Sequence, residues 1–256
     1  YRKYLSVTYS MPEWIVDLWI GQFGQETTTA MLQGLLQERP VTIRMRTEDE
    51  KAVEALRADL EKQGGTLKRH PYLSYAYVIE KTDDLTQLSG FEEGAFVIQD
   101  ISSMLAVEAL GLPKMDNQGT LKILDICAAP GGKSMLAADI LNHADIDYML
   151  EARDISEYKV ELMQENFNRC HLNKAKAVAW DALEPDERWL GQADVVIADI
   201  PCSGLGVIGR KRDIKYKMTP QAVQDIVELQ EKILKVAASY VKKGGKLLFS
   251  TCTVNK

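Results

Sequence analysis

The stretch Asp125-Ile126-Cys127-Ala128-Ala129-Pro130-Gly131-Gly132-Lys133-Ser134 decides how this chain is read. The apolar run from Leu121 to Cys127 predicts a strand leading into it, and Gly131 to Asn142 predicts a helix leading out. Small residues at such a turn let the backbone approach a ligand closely, and a helix amino end offers N–H groups with no intrahelical acceptor. A nucleotide-like ligand is implied. A phosphate-binding loop is a rival reading, because Gly132-Lys133-Ser134 imitates the end of G-x-x-x-x-G-K-[ST]. Cys127 stands where that motif needs its first Gly, however, and Pro130 removes one of the N–H groups that would cradle a phosphate. A purely structural turn would need Gly but has no use for a whole run of small residues followed by Lys.

Downstream the pattern repeats. Ile146 to Ala152 predicts a strand, Ser156 to His171 a helix, Lys176 to Trp180 a short strand and Asp194 to Asp199 another strand. A Gly-rich basic loop fills 203 to 217, Pro220 to Val241 predicts a helix, and Lys246 to Cys252 a last strand. Short apolar runs alternating with amphipathic stretches give a doubly wound parallel sheet of five strands. Ligands bind such sheets at the carboxyl ends of the strands, where strand order reverses. The functional loops are therefore expected at 127–134, 153–156, 180–183, 199–217 and from 252 onward.

Each of those loops carries something chemical. Strand two runs into Glu151-Ala152-Arg153-Asp154, and an acid about 20 residues or more beyond the glycines can accept hydrogen bonds from ribose hydroxyls. Asp154 could equally cap the helix near Ser156. Asp181, after the third strand, has the same two readings and would sit near an adenine amino group. Asp199-Ile200-Pro201-Cys202-Ser203-Gly204 ends the fourth strand and Ser250-Thr251-Cys252-Thr253 the fifth. Neighbouring strands lie about 4.8 Å apart, so if these two are adjacent their thiols converge. Cys170, inside a predicted helix, fits the usual inert buried thiol. Gly209-Arg210-Lys211-Arg212-Asp213-Ile214-Lys215-Tyr216-Lys217 concentrates cations beside an aromatic ring, which suits RNA phosphate contact and stacking as well as it suits a solvated charged loop.

The first 90 residues read as a small α+β module. It has helical stretches at Pro12 to Gly21 and Gly24 to Gln37, strands at Val41 to Met45, Thr66 to Arg69 and Ala76 to Glu80, and a helix at Glu48 to Gln63 that Gly64-Gly65 stops. The 256 residues are 46% hydrophobic and 27% charged, an ordinary globular composition, and no window reaches the length of a membrane span. With no signal-peptide core at Tyr1-Arg2-Lys3-Tyr4, the expected address is cytoplasmic. The net charge of −6 does not by itself point to nucleic acid, so the local basic stretch must carry that argument. The four cysteines form no C-x-x-C pair, and no metal site is expected. Both ends read as cut, the first residue not being Met and the last following a predicted strand.

Taken together, these segments resemble the Sun-type RNA cytosine-5 methyltransferases, most of all their bacterial small-subunit ribosomal RNA branch. Phe96-Val97-Ile98-Gln99-Asp100-Ile101-Ser102-Ser103 resembles the element preceding the family's cofactor domain. Residues 125–134 match its cofactor loop almost letter for letter, and Asp199 to Gly204, Arg210 to Lys215 and Ser250 to Thr253 follow in family order. Ile200 replaces a residue that is commonly small, and Arg212 stands where Pro is usual. The resemblance implies a Rossmann-like class I methyltransferase sheet at 91–256, cut short at its carboxyl end, behind an α+β RNA-facing module at 1–90. It implies S-adenosylmethionine as cofactor, surrounded by Cys127, Ala128, Ala129, Pro130, Gly131, Gly132, Lys133, Asp154, Asp181 and Asp199. Cys252 is then the nucleophile and Cys202 assists release, a choice that spacing leaves open. Arg210, Lys211, Arg212 and Lys215 face the RNA, small-subunit ribosomal RNA is the partner, and the chain is a monomer.

The chemistry is coherent with that assignment. Carbon 5 of cytosine is too electron-poor to attack S-adenosylmethionine unaided, and thiolate addition at carbon 6 makes it enamine-like, dividing one hard step into two. A thiol of ordinary pKa, roughly 8.5, needs nearby positive charge to ionise near neutrality, for which Lys133 is the candidate. Asp199 would hold the exocyclic amine and N3 of the base. Two rival functions predict different things. A DNA cytosine-5 methyltransferase would use Cys202 as nucleophile and require a target-recognition domain, and a catalytically incompetent RNA-binding fragment would keep the fold without turnover.

Overall fold

The computed structural model describes residues 1–37, 40–47, 49–81, 84–115 and 119–255. In chain order the elements are α1 (Arg2–Thr8), α2 (Glu13–Leu36), β1 (Val41–Met45), α3 (Glu50–Lys62), β2 (Thr66–Arg69), β3 (Ala76–Glu80), β4 (Phe96–Ile98) and α4 (Ile101–Glu108). They continue with β5 (Leu121–Asp125), α5 (Gly132–His143), β6 (Tyr148–Asp154), α6 (Glu157–Arg169), β7 (Ala175–Ala179), β8 (Ala193–Asp199), α7 (Ile214–Lys217), α8 (Pro220–Tyr240) and β9 (Val241–Ser250). Among the described residues no helix is long and apolar enough to cross a membrane. Contacts divide the chain into two units, one of Tyr1–Arg39, Ile200–Lys232 and Thr251–Lys256, the other of Pro40–Asp199 and Ile233–Ser250. The first unit thus takes residues from both sides of the expected boundary at 90.

The larger unit holds both sheets. Five parallel strands lie in the order β7-β6-β5-β8-β9, the doubly wound α/β sheet that the sequence rhythm predicts. The chain fills one half through β5, β6 and β7, then reverses to β8 and β9, so the switch point lies between β5 and β8. Asp125 and Asp199 end those two strands, where doubly wound sheets take their ligands. The central strand β8 is buried almost completely, which is why Ala193-Asp194-Val195-Val196-Ile197-Ala198 reads as an unbroken apolar run apart from Asp194, whereas the outer strands β7 and β9 are largely half-buried or exposed. Asp194 is tied down by the Lys122 amide, 2.8 Å away, and by Lys242.

A four-stranded antiparallel sheet, β2-β3-β1-β4, makes the α+β module of the same unit. Leu56 and Leu60 of α3 bury against Ile43, Ile79 and Phe96. Asp49 caps α3 by accepting the Lys51 amide at 2.9 Å. The expected start of this helix at Glu48 lies outside the described residues.

The smaller unit is built from helices. The stretches expected at Pro12 to Gly21 and Gly24 to Gln37 form one long helix broken at Gly24, whose φ of 81° departs from helical geometry. Ile15, Val16, Trp19 and Leu32 of this helix cluster with Leu5 of α1, which has no counterpart in the sequence reading. Leu205 and Ile208 complete the cluster, so 203–217 is not the open loop that its glycines and charges suggest. Leu205–Val207 form a 3-10 turn and Ile214–Lys217 a short helix, because Leu205 and Ile208 before the cations and Ile214 among them have a core to enter.

Strand β9 also departs from expectation, starting at Val241 instead of Lys246 and ending at Ser250, short of Cys252. Its ladder begins with Val241 opposite Ala193, shifts register, and resumes from Lys246 opposite Val195 to Ser250 opposite Asp199. Hydrogen bonding across that irregularity extends the strand through 242–245, residues that the sequence reading left between a helix and a strand.

Candidate active site

The loop after β5 is shaped by close packing. Gly131 sits at φ 99°, and a Cβ there would come within 3.2 Å of the Phe167 ring, so only Gly satisfies both the backbone conformation and α6 behind it. The Ala128 amide donates to the Arg153 carbonyl at 2.7 Å, tying the loop to β6. Below it Asp125 is fully buried, with Ser134 Oγ donating to its Oδ2 at 2.6 Å. Burial pushes its carboxyl up to about 7, with the charge of Asp199 adding to the effect and the hydrogen bond from Ser134 opposing it. The same surroundings push the Cys127 thiol up to about 12, through burial first and then the charges of Asp125, Asp154 and Asp199. Cys127 therefore stays a neutral thiol near neutral pH. A cavity of about 370 Å³ opens on the carboxyl half of α5, beside Arg44, Leu136, Ile140 and His143, and no residue of 127–133 lines it.

Asp154 is buried at the end of β6, accepting the Ser156 amide at 3.1 Å and lying 3.4 Å from Lys159 Nζ. Ser156 is the N-cap residue of α6, so Asp154 closes the turn ahead of that helix. Asp181 follows β7 by two residues and accepts the Leu183 amide at 2.9 Å. Both acids keep lone pairs for a further donor.

Asp199 is gripped at both oxygens. Lys133 Nζ lies 2.7 Å from Oδ2, and Ser250 Oγ donates to Oδ1 at 2.7 Å. The register of β8 and β9 sets Asp199 opposite Ser250, which accounts for the second bond. The Lys133 side chain is 12% exposed and the Asp199 side chain 38%, leaving the carboxylate the more accessible partner.

In the smaller unit, Cys202 and Cys252 lie with their sulfurs 3.0 Å apart, and the Cys252 amide donates to Cys202 Sγ at 3.2 Å. The arrangement is fixed from several sides. Ser203 and Thr253 share a hydroxyl hydrogen bond of 2.7 Å, and the Gly206 amide donates to the Cys252 carbonyl at 3.1 Å. A Cβ on Gly206 would stand 2.7 Å from that carbonyl, so the approach requires Gly. Gln230 Nε2 donates to the Pro201 carbonyl at 2.7 Å. Cys170 is buried, and its thiol is pushed up by that burial, as suits an inert position.

Of the basic residues, Arg210, Lys211 and Arg212 are exposed. Lys215 is not. Its side chain turns inward, its Nζ donates to the Ser10 carbonyl, and the residue is buried, which makes it a strut of the helical unit and removes it from the expected phosphate contacts. Tyr216, beside it, is 70% exposed. Three further polar groups were not legible as site residues. Asp125 belonged to the quoted run yet its burial has no sequence signature, Ser250 gains a partner only through strand register, and Gln99 depends on contacts with Arg44 and Gly132.

The family model described as 16S rRNA methyltransferase RsmB/F matches residues 112–256, and one for the ferredoxin-like domain of RsmF/B-like methyltransferases matches residues 11–86. A probable ribosomal RNA small subunit methyltransferase B of Bacillus subtilis (strain 168) is 34% identical over 257 residues, covering 98% of this chain and 54% of the relative. The ribosomal RNA small subunit methyltransferase B of Vibrio cholerae is 32% identical, covering 96% and 54%. This chain thus spans about half the length of the curated relatives that it matches. A methyltransferase homolog protein from Pyrococcus horikoshii superposes with a TM-score of 0.77 at 24% identity over 98% of this chain and 76% of that one, which shows the shared fold. By the match of its larger part to the family model, this chain belongs to the 16S rRNA methyltransferase RsmB/F family.

Proposed function

We propose that this chain transfers a methyl group to carbon 5 of a cytosine in small-subunit ribosomal RNA through a covalent cysteine adduct. The observation that carries the reading is the pair of sulfurs 3.0 Å apart, Cys202 and Cys252, each following a sheet strand within three residues. S-adenosylmethionine fits the residues of the loop after β5: a close-packed run of small residues, a helix amino end and acids at the ends of β6 and β7. In this reading residues 127–133, Asp154 and Asp181 hold it, and when bound it supplies the methyl group.

Cys252 is the nucleophile: its thiol proton passes to solvent, and the thiolate sulfur adds to carbon 6 of the base. Asp199, oriented by Lys133 and Ser250, accepts from the exocyclic amine, which keeps the ring in place as carbon 5 becomes nucleophilic. After methylation Cys202, as its thiolate, takes the proton from carbon 5, the bond between Cys252 sulfur and carbon 6 breaks with its electron pair staying on the sulfur, and the aromatic ring returns. Arg210, Lys211 and Arg212 contact phosphates. The test is incubation with methyl-labelled S-adenosylmethionine and either ribosomal RNA or DNA, followed by mapping of the labelled base. Label on carbon 5 of a ribosomal RNA cytosine supports the proposal; label on adenine or on DNA alone refutes it, as does binding of ATP in place of S-adenosylmethionine.

A further inference from the structure

Gln99 directly follows β4 and is 5% exposed. Its Oε1 accepts from Arg44 Nε at 2.9 Å, while its Nε2 has no hydrogen-bond partner. The anchor is itself held, since Arg44 is 1% exposed and its Nη1 pairs with Asp139 of α5, which also takes Arg46 Nε at 2.9 Å and Nη2 at 2.7 Å. With its oxygen pinned, the Gln99 amide can present only its NH2. That group lies 3.7 Å from where a Cβ on Gly132 would stand, at the first residue of α5. The N-cap residue of α5 is Gly131, which has no side chain to cap the helix. First-turn N–H groups of a helix have no intrahelical acceptor and carry the positive end of the helix dipole. A buried amide donor without an acceptor and an uncapped helix amino end therefore meet at one place; the first calls for an acceptor and the second favours a negatively charged one.

We propose that Gln99 is a cofactor-binding residue, its NH2 and the amino end of α5 together receiving the carboxylate of the methionine portion of S-adenosylmethionine. The inference rests on the cofactor reading above. Of the groups which that molecule carries, the carboxylate is the one anion; adenine and ribose are neutral and the sulfonium is positive. Arg44 is then a positioning residue, fixing which end of the amide faces the helix, and Asp139 fixes Arg44.

Calorimetry on the intact chain tests this with two probes, S-adenosylhomocysteine, which keeps the carboxylate, and 5′-methylthioadenosine, which lacks it. Gln99→Leu should weaken S-adenosylhomocysteine about 10- to 100-fold, the range for one hydrogen bond to a charged group, and leave 5′-methylthioadenosine within about twofold. Gln99→Glu keeps an acceptor for Arg44, so the fold is retained, and it sets a negative charge against the ligand; S-adenosylhomocysteine should weaken further and 5′-methylthioadenosine again stay unchanged. Equal loss of both probes would mean that Gln99 only shapes the loop, and unchanged affinity for S-adenosylhomocysteine would mean that it contacts no carboxylate; either result overturns the proposal. If the unsubstituted chain binds neither probe, the cofactor reading itself falls with it.

Discussion

Replacing Asp125 by Asn should change how the stability of the chain responds to pH. Asp125 is fully buried, and its carboxyl is pushed from the ordinary 3.8 up to about 7, first by burial and then by the charge of Asp199. A raised carboxyl favours the fold while it is protonated, and that advantage fades as pH rises from 3.8 to about 7, where the unfolded chain has released a proton that the folded chain still holds. Each pH unit in that interval is worth about 1.4 kcal/mol, so the interval takes about 4 kcal/mol from the unsubstituted chain. Asn has the same shape, does not titrate, and can still accept the hydrogen bond from Ser134. Urea unfolding of both proteins at several pH values from 4 to 8 should therefore show similar stabilities at the acid end and Asp125→Asn more stable by about 3 to 4 kcal/mol at pH 8. Titrations of groups not coupled to Asp125 cancel in the difference between the two proteins. A difference that stays flat across the range, or that favours Asp at pH 8, would refute the account of a buried acid charged at a cost.

Cys252→Ser should transfer no methyl and form no adduct, whereas Cys202→Ser should still attack and then stall as a slow-migrating protein–RNA band on a denaturing gel; the reverse pattern would exchange the two roles. Substituting Arg210, Lys211 and Arg212 together by Ala should flatten the salt dependence of RNA binding, since about three phosphate contacts release that many fewer counterions, and an unchanged slope would move the RNA surface elsewhere. Gly206→Ala places a Cβ 2.7 Å from the Cys252 carbonyl and should cut methyl transfer at least tenfold while costing only about 1–3 kcal/mol in urea unfolding, the range of a local steric change. Asp139→Asn leaves Arg44 and Arg46 sharing no carboxylate and should cost about 3–5 kcal/mol by the same measurement; a loss under about 1 kcal/mol would mean that water compensates the guanidinium groups.

Much was legible in the sequence because the relevant signals are local. A central strand of a parallel sheet is buried on both faces and reads as an apolar run, so Ala193–Asp199 could be located within a residue. The run from Cys127 to Ser134 marks a close-packed strand-to-helix turn, because close backbone approach selects small residues wherever it occurs. The pairing of Cys202 with Cys252 followed from their positions after two strands, once those strands were assumed to be neighbours. Only the tertiary structure decided which polar groups are buried and by what. Lys215 has the same sequence signature as Arg210, yet a nearby carbonyl of Ser10 draws its ammonium inward, and no local pattern encodes a partner 205 residues away. Asp125, Gln99 and Ser250 owe their surroundings to desolvation, to a pinned amide oxygen and to the register of two strands. Each is a property of distances across the fold; the sequence determines which side chains exist, and packing determines which of them must find a partner.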